Sequence, residues 1–489
     1  MLSRRLIVFC FGLFAGIGCY SQSCLPEGIE LVRQGQVDSF PLIYPGCVVI
    51  EGNIYIGGLW EQPCTINNLD SLITIISCNG DLHINGTYGA PLNSLQGLSN
   101  LQSVGGNLTI TTGNMITDLF GLQGLHTAGG DVIIHSNFLV TLQGLDNLDS
   151  IGGNLQLGTT SWLADLNGLN SLSYIGGDLS VDYNESLADI SALSSLTCLH
   201  GDLEIYNNDV LTTLSGLHNI DTIRGSVVID YNGLLPDLSG LENLSYIGGW
   251  LQVNANENLD NLQGLNGLEH IGEGLVVFSN PLTDLAGLET LITVGDRLQI
   301  EYCGWLYDLD VLLNLESIGG LLMIQNNASL LNLDGLGNIN AGSINELYIR
   351  NNLALSSCDA GSICTYLAEP GGSVTIAGNA PGCNSPEEVL QQCSSGQPDN
   401  WITGQAAPDI YPNPAGNNFS FQFSSLESQQ VTLKIYDVHG REIAVVTNEL
   451  KTTGRQSLSF DVSILDAGIY FYRLNVSRER MFSGKLVVK

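Results

Sequence analysis

Residues 142–157 read LQGLDNLDSIGGNLQL, and residues 166–181 read LNGLNSLSYIGGDLSV. The same phrase, LxGLxxLxxIGGxLxI, returns as LQGLSNLQSVGGNLTI from Leu95, LSGLENLSYIGGWLQV from Leu238 and LDVLLNLESIGGLLMI from Leu309. Its leading apolar residue falls at Leu69, Leu95, Leu119, Leu142, Leu166, Ile190, Leu214, Leu238, Leu262, Leu285, Leu309 and Leu333. A period near 24 residues held over twelve copies marks a repeat architecture. LxI alternates with period two, so it predicts a short strand with alternate side chains buried. The preceding LxxLxxI is a second inward-facing extended or turn segment. No repeat has room for a long amphipathic helix. One repeat cannot bury its apolar row alone, but stacked repeats can. The reading is therefore an all-β parallel β-helix-like solenoid over 68–353, with twelve coils spanning roughly 55–60 Å at strand spacing. The GG pair before the strand is expected to supply the positive-φ corner of each coil.

A polar column accompanies the apolar ones. Three residues after the strand come Asn137, Asn184, Asn208, Asn232, Asn256, Asn280, Asn327, Asn352 and Asn379. An inward Asn can bond backbone groups of its own and neighbouring coils, which predicts a ladder. Cys303 occupies this column in its repeat and reads as a buried substitute for Asn. Cys198 lies four repeats earlier, roughly 20 Å away by strand spacing. That is beyond disulfide reach, so both are expected to be free thiols.

The chain has 489 residues with a formal net charge of −34. The charge is unevenly placed. Residues 22–393 hold forty acids against Arg33, Arg224, Arg297 and Arg350, with no Lys, for a net −36. Residues 409–489 hold nine basic and eight acidic residues, net +1. So acidic an array excludes nucleic acid as a partner and opposes adsorption to anionic lipid. The break in composition separates two differently built domains.

Residues 1–21 read as a signal peptide, with Arg4 and Arg5 before the apolar stretch Leu6 to Ile17. Cys19 and Ser21 place small residues before a cut at Gln22; a lipid on Cys19 is the alternative. No later stretch is apolar for 18 residues, so a mature chain without a transmembrane segment is expected, secreted or at the outer surface. Cys24, Cys47, Cys64 and Cys78 cluster at one end of the array, and Cys358, Cys364, Cys383 and Cys393 at the other. In an exported protein both groups predict disulfides, with pairing open. Zinc is the alternative, but Cys358–Cys364 and Cys383–Cys393 lack CxxC spacing. Raw solenoid ends need caps; the expected caps are 22–67 and 354–393.

The opening CLPEGIELVRQGQVDSFPLIYPGCVVIEGNIYIGG, followed by the IGGxLxI coils, resembles bacterial relatives of the receptor L domain over about residues 24–393. The resemblance implies a leucine-rich-repeat-like right-handed β-helix. Residues 394–408 read as a linker. After it, FSFQF (419–423), VTLKIYDV (431–438), EIAVV (442–446), SLSFDV (457–462), IYFYRLNV (469–476) and KLVVK (485–489) alternate as strands of a small β-sandwich. YPNPAGN from Tyr411, IYDVHGREI from Ile435, LDAGIYFYRL from Leu465 and the final KLVVK resemble the type A C-terminal sorting domain of the type IX secretion system. That resemblance implies the secretion machinery as partner of 409–489, export across the outer membrane, removal of the domain, and release or surface attachment.

No catalytic constellation emerges. His83, His126, His135, His200, His218, His270 and His439 fall in different repeats and columns, and no HExxH, GxSxG or P-loop occurs. The expectation is a monomeric, non-enzymatic protein that binds a glycan, protein or surface. Its binding candidates are Tyr183, Tyr206, Tyr231, Phe278 and Tyr302 with Asp182, Asp230 and Glu301. Together they would make an aromatic–acidic stripe just after the strand. The enzymatic alternative is a polysaccharide hydrolase, with Asp182 and Asp230 near 10 Å apart across two coils. A further column, Asp118, Asp165, Asp189, Asp237, Asp284 and Asp308, reads as turn-capping, with bridging calcium as the other reading; no other cofactor is expected. The triplets at Asp70, Asp149 and Asp221 (DSL, DSI, DTI) resemble a bacterial O-glycosylation signal.

Overall fold

The computed structural model describes residues 22–57, 64–86, 92–112, 116–396, 409–411, 418–425, 429–436, 441–451, 454–462, 465, 468–477 and 480–488. The expected signal peptide and most of the linker lie outside these residues. The chain divides into two compact units between Cys393 and Ser394.

In the first unit every LxI segment becomes one strand of a 15-stranded parallel sheet that runs from Ile29–Leu31 to Val374–Ala377. The IGG segments build a narrower side of two-residue strands: five continue the cap strands Gln22–Cys24 and Cys47–Ile50 in a seven-stranded sheet ending at Tyr174–Ile175, and six form a second sheet from Cys198–Leu199 to Ser317–Ile318. Short 3-10 turns such as Gln96–Leu98, Ser191–Leu193 and Ser215–Leu217 lie between the LxGL residues. Leu142, Leu145, Leu148, Ile151, Leu155 and Leu157 of one repeat are all fully buried, as are their counterparts along the stack. This is the expected solenoid.

The broad sheet runs past both ends of the 68–353 array. Ile29–Leu31 and Ile54–Ile56 precede it, and Val374–Ala377 follows it. The cap segments keep the strand and lose the LxGLxxL phrase. Helices take its place: Gln34–Ile43 buries Val37 and Phe40, and Gly361–Ala368 buries Ile363 and Tyr366. A helix satisfies its own backbone and presents one apolar stripe, which suits it to cover a raw end.

The glycines play different parts from those expected. The GG pairs that precede the strands are absent from the positive-φ positions; what they meet is the preceding coil. A Cβ on Gly152 would stand 2.2 Å from the carbonyl oxygen of Gly129, and one on Gly176 would stand 2.2 Å from that of Gly152. Positive φ falls instead on the LxGL glycine of several coils, as at Gly144 (φ +116°) and Gly168 (φ +115°), and on non-glycine corner residues after the broad strand.

The Asn ladder forms from Asn184 onward. Asn208 Nδ2 donates to the carbonyl of Val181 at 2.9 Å, and Asn232 accepts from the Asn208 amide at 3.1 Å. Cys303 holds its rung, its amide donating to Asn327 Oδ1 at 2.9 Å. Asn137 is not a rung. It is exposed, and Ser136 is the buried residue there, because the strand Val132–Ser136 runs on without the left-handed corner residue that stands before the other rungs, as Tyr183 does before Asn184. Thr160 takes the next rung, bonding Asn184 Oδ1 through its hydroxyl at 2.6 Å.

Three disulfides close the caps: Cys24–Cys47, Cys358–Cys383 and Cys364–Cys393. Cys64 and Cys78 do not form a fourth; both are buried thiols. Cys78 pairs in register with Ile50 on one side and Val104 on the other, so it fills an apolar column as a small hydrophobe.

The second unit is antiparallel. Asp409–Tyr411, Asn418–Ser425 and Gly454–Asp461 form one sheet; Glu442–Lys451, Gln429–Tyr436, Gly468–Ser477 and Arg480–Val488 form the other. The last strand starts earlier than KLVVK because its whole length pairs with Gly468–Ser477. Val431, Leu433, Ile435, Val462 and Leu486 make its core.

Candidate functional site

The residue that ends each broad strand points outward, opposite to its buried neighbour. In register across successive strands stand Asp182, Tyr206, Asp230, Asn254, Phe278 and Glu301. The next residue turns the corner in left-handed conformation without glycine: Tyr183, Asn207, Tyr231, Ala255, Ser279 and Tyr302 have φ between 51° and 57°. Bulky residues avoid this region, so the corner aims their side chains at some cost in strain.

Tyrosine alternates between the two columns. Tyr183 and Tyr231 sit at the corner, and Tyr206, on the coil between them, sits one residue earlier. The rings therefore meet: Tyr183–Tyr206 centroids lie 5.2 Å apart and Tyr206–Tyr231 5.5 Å apart, tilted by 58° and 63°. Phe278 and Tyr302 form a second pair at 5.2 Å and 62°. The single stripe expected from the columns is thus two patches, separated by the coil that carries Asn254 and Ala255. Tyr183, Tyr231 and Tyr302 are about half exposed (48%, 50% and 53%). The Tyr206 phenol is pushed above its usual range, first by a hydrogen bond to Tyr183 and then by burial.

The acids do not stand beside the rings as open acceptors. Asp230 and Glu301 are each only 5% exposed. Asp230 accepts from Gln252 Nε2 at 2.7 Å, the Asn254 amide at 3.0 Å and Asn254 Nδ2 at 3.1 Å. Burial lifts its carboxyl above the ordinary range, and these bonds oppose the lift. Glu301 accepts from Gln299 and Gln325. Asp182 is half-buried and also lifted by burial, opposed by the charge of His135 and a bond from Ser180. Its carboxylate lies over Gly158, where a Cβ would come within 2.8 Å of Oδ1. Tyr206 stands in register between Asp182 and Asp230.

The second Asp column caps turns. Asp165, Asp189, Asp237, Asp284 and Asp308 each accept, through Oδ1, the backbone amide two residues on, at 2.7–3.1 Å; Asp118 does the same to Phe120. Asn261, Asn332, Thr141 and Thr213 make the same bond in other coils. Neutral side chains serve equally, so the position requires an acceptor rather than a charge. Among the described residues no group of three or more His, Cys, Asp or Glu is placed to hold a metal ion. Ser150 and Thr222 of the glycosylation-like triplets lie half-buried in strands of the narrow side, and Ser71 lies in a 3-10 turn.

One ladder went unread in the sequence. The residue just before each broad strand runs Asn53, Asp81, Asn107, Asp131, Asn154, Asp178, Asp202 and Ser226. Each accepts the backbone amide of the next member, at 2.6–3.1 Å. The Asn/Asp alternation was its signal. It keeps most of these carboxylates two coils apart, where like charges repel less. The ladder ends at Trp250, whose ring packs under the Arg297 guanidinium at 4.9 Å. A shallow groove of about 450 Å³ on the 3-10 side, lined by Ser191, Ser194, Thr213, Ser215, His218 and Glu242, involves none of the aromatic residues.

Residues 197–285 match the family model described as receptor L domain. Residues 409–489 match the model described as secretion system C-terminal sorting domain. No curated protein matches the chain. The chain thus joins a receptor L domain region, embedded in a longer run of the same coils, to a type IX secretion sorting domain.

Proposed function

We propose that the chain is a recognition protein that works outside the cell. The sorting domain supports secretion or outer-surface attachment through the type IX system, and the L domain supports a surface or binding role. The solenoid binds an extracellular glycan, protein or surface without chemical turnover, and the sorting domain delivers it.

The observation that carries this reading is the Tyr183–Tyr206–Tyr231 cluster. Three large amphipathic rings are held together and partly exposed by a backbone that strains to place two of them. Burying them against a ligand gains apolar area while their hydroxyls keep hydrogen bonds. A non-enzymatic role is further supported by Asp230, which is closed off by three hydrogen bonds, and by Tyr206, which stands in register between Asp182 and Asp230.

The test is to screen the full chain against glycan and protein arrays, with and without calcium. Tyr183, Tyr206 and Tyr231 are then replaced together by Ala, and binding is measured again. Loss of binding with an unchanged melting temperature supports the aromatic corner as the site. Retained binding places recognition elsewhere. Release of reducing ends from any polysaccharide in the screen would overturn the non-enzymatic reading.

A further inference from the structure

The aromatic corner runs along the stack rather than across it. From the coil of Tyr183 to the coil of Tyr302 there are five steps, about 24 Å at strand spacing. A ligand that uses both patches must be long, extended and aligned with the solenoid axis.

Three features narrow its chemistry. The first is charge. The array is net −36 without a lysine, and Asp182, Asp230 and Glu301 share the row with Tyr206 and Phe278. A polyanion laid here is repelled along its whole length. The second is pitch. An extended β-1,4-linked sugar chain advances roughly 5 Å per ring, close to the coil step of about 4.8 Å. A peptide strand repeats the same face only every two residues, about 6.6 Å, and falls out of step. The third is tilt. Neighbouring rings are inclined by 58–63°, so they form no flat shelf for a crystalline surface. Inclined rings can each meet the C–H face of a sugar in a single chain that turns as it runs.

The geometry points to a single neutral β-linked oligosaccharide chain, on the order of six sugars at one per coil, lying along Tyr183, Tyr206, Tyr231, Phe278 and Tyr302. This rests on the recognition reading above and gives it a ligand class.

The test is calorimetric titration of the full chain with neutral β-1,4-linked gluco-, manno- and xylo-oligosaccharides of increasing length. A mannuronate hexamer is the charged control and microcrystalline cellulose the flat one. At least one neutral series should gain affinity with each unit up to about six and then level off. The mannuronate should bind at least tenfold more weakly, and the cellulose should not deplete the protein. Tyr206→Ala should weaken the hexamer about tenfold, while Tyr206→Phe restores it. The proposal falls if no neutral series binds, if affinity levels off at two or three units, or if the mannuronate binds equally well. A protein ligand that needs the same tyrosines, with no glycan bound, overturns this proposal and leaves the recognition reading standing. A ligand that survives the triple Tyr→Ala change removes the aromatic corner from both.

Discussion

Asn232 donates from Nδ2 to the carbonyl of Ile205 on the preceding coil, 2.8 Å away. Its Oδ1 accepts the amide of Asn208, also one coil back, at 3.1 Å. One fully buried side chain therefore bonds two backbone groups of the coil before it, beside the Asp230 carbonyl of its own. Asn232→Ala strands both. Each buried unsatisfied group costs about 1–3 kcal/mol, so a loss of several kcal/mol is expected in denaturant unfolding. An unchanged midpoint would show that water replaces the ladder.

Gly152 tests the close approach of coils. Its replacement by Ala drives a Cβ against the Gly129 carbonyl, and a cost on the order of 3 kcal/mol is expected. Gly35→Ala is the control: nothing lies within 4 Å of its Cβ position, in the helix Gln34–Ile43. There Ala should be neutral or stabilise by up to about 1 kcal/mol. Equal melting temperatures for the two variants would contradict the packing account.

Acid should stabilise this protein before it denatures it. Burial raises the carboxyls of Asp182, Glu204, Asp230, Asp310 and Asp334. With the folded pKa above the unfolded one, the folded state holds the proton more tightly. Stability from these groups is thus full below the ordinary carboxylate value near about 4 and is lost as pH rises through the raised values. Glu387, at the exposed start of the helix Pro386–Gly396, is shifted the other way. The net charge of −34 adds self-repulsion at neutral pH. Scanning calorimetry should show a higher melting temperature near pH 5 than near pH 7.5; a lower one refutes the prediction.

Thiol chemistry should separate the four free cysteines among the described residues. Cys64, Cys78 and Cys303 are buried, and burial pushes the Cys78 and Cys303 thiols up to about 11. Cys198 is partly exposed. A chain beginning at Gln22 should show one reactive thiol when native and four when unfolded. Rapid native reaction at Cys303 would mean that its rung of the ladder opens.

Much of this molecule is written in one dimension. The 24-residue period, the inward LxxLxxI and LxI residues and the Asn column from Asn184 onward all follow from the spacing of Leu, Gly and Asn, and the two-domain division follows from the break in charge. A stack of like coils repeats each column in space as it repeats in sequence, so columns could be read without coordinates. What the tertiary structure decided depends on distances between coils and on small changes in coil length. A strand that ran on to Ser136 without a left-handed corner residue exchanged Asn137 for Ser136. Backbone contact between coils, not φ, explained the GG pairs, and register placed Cys78 in an apolar column rather than a disulfide. The tyrosines were visible as candidates. That Tyr206 bridges Tyr183 and Tyr231 while Asp230 leans along the stack to Gln252 and Asn254 depends on side-chain direction, which a column of letters does not carry.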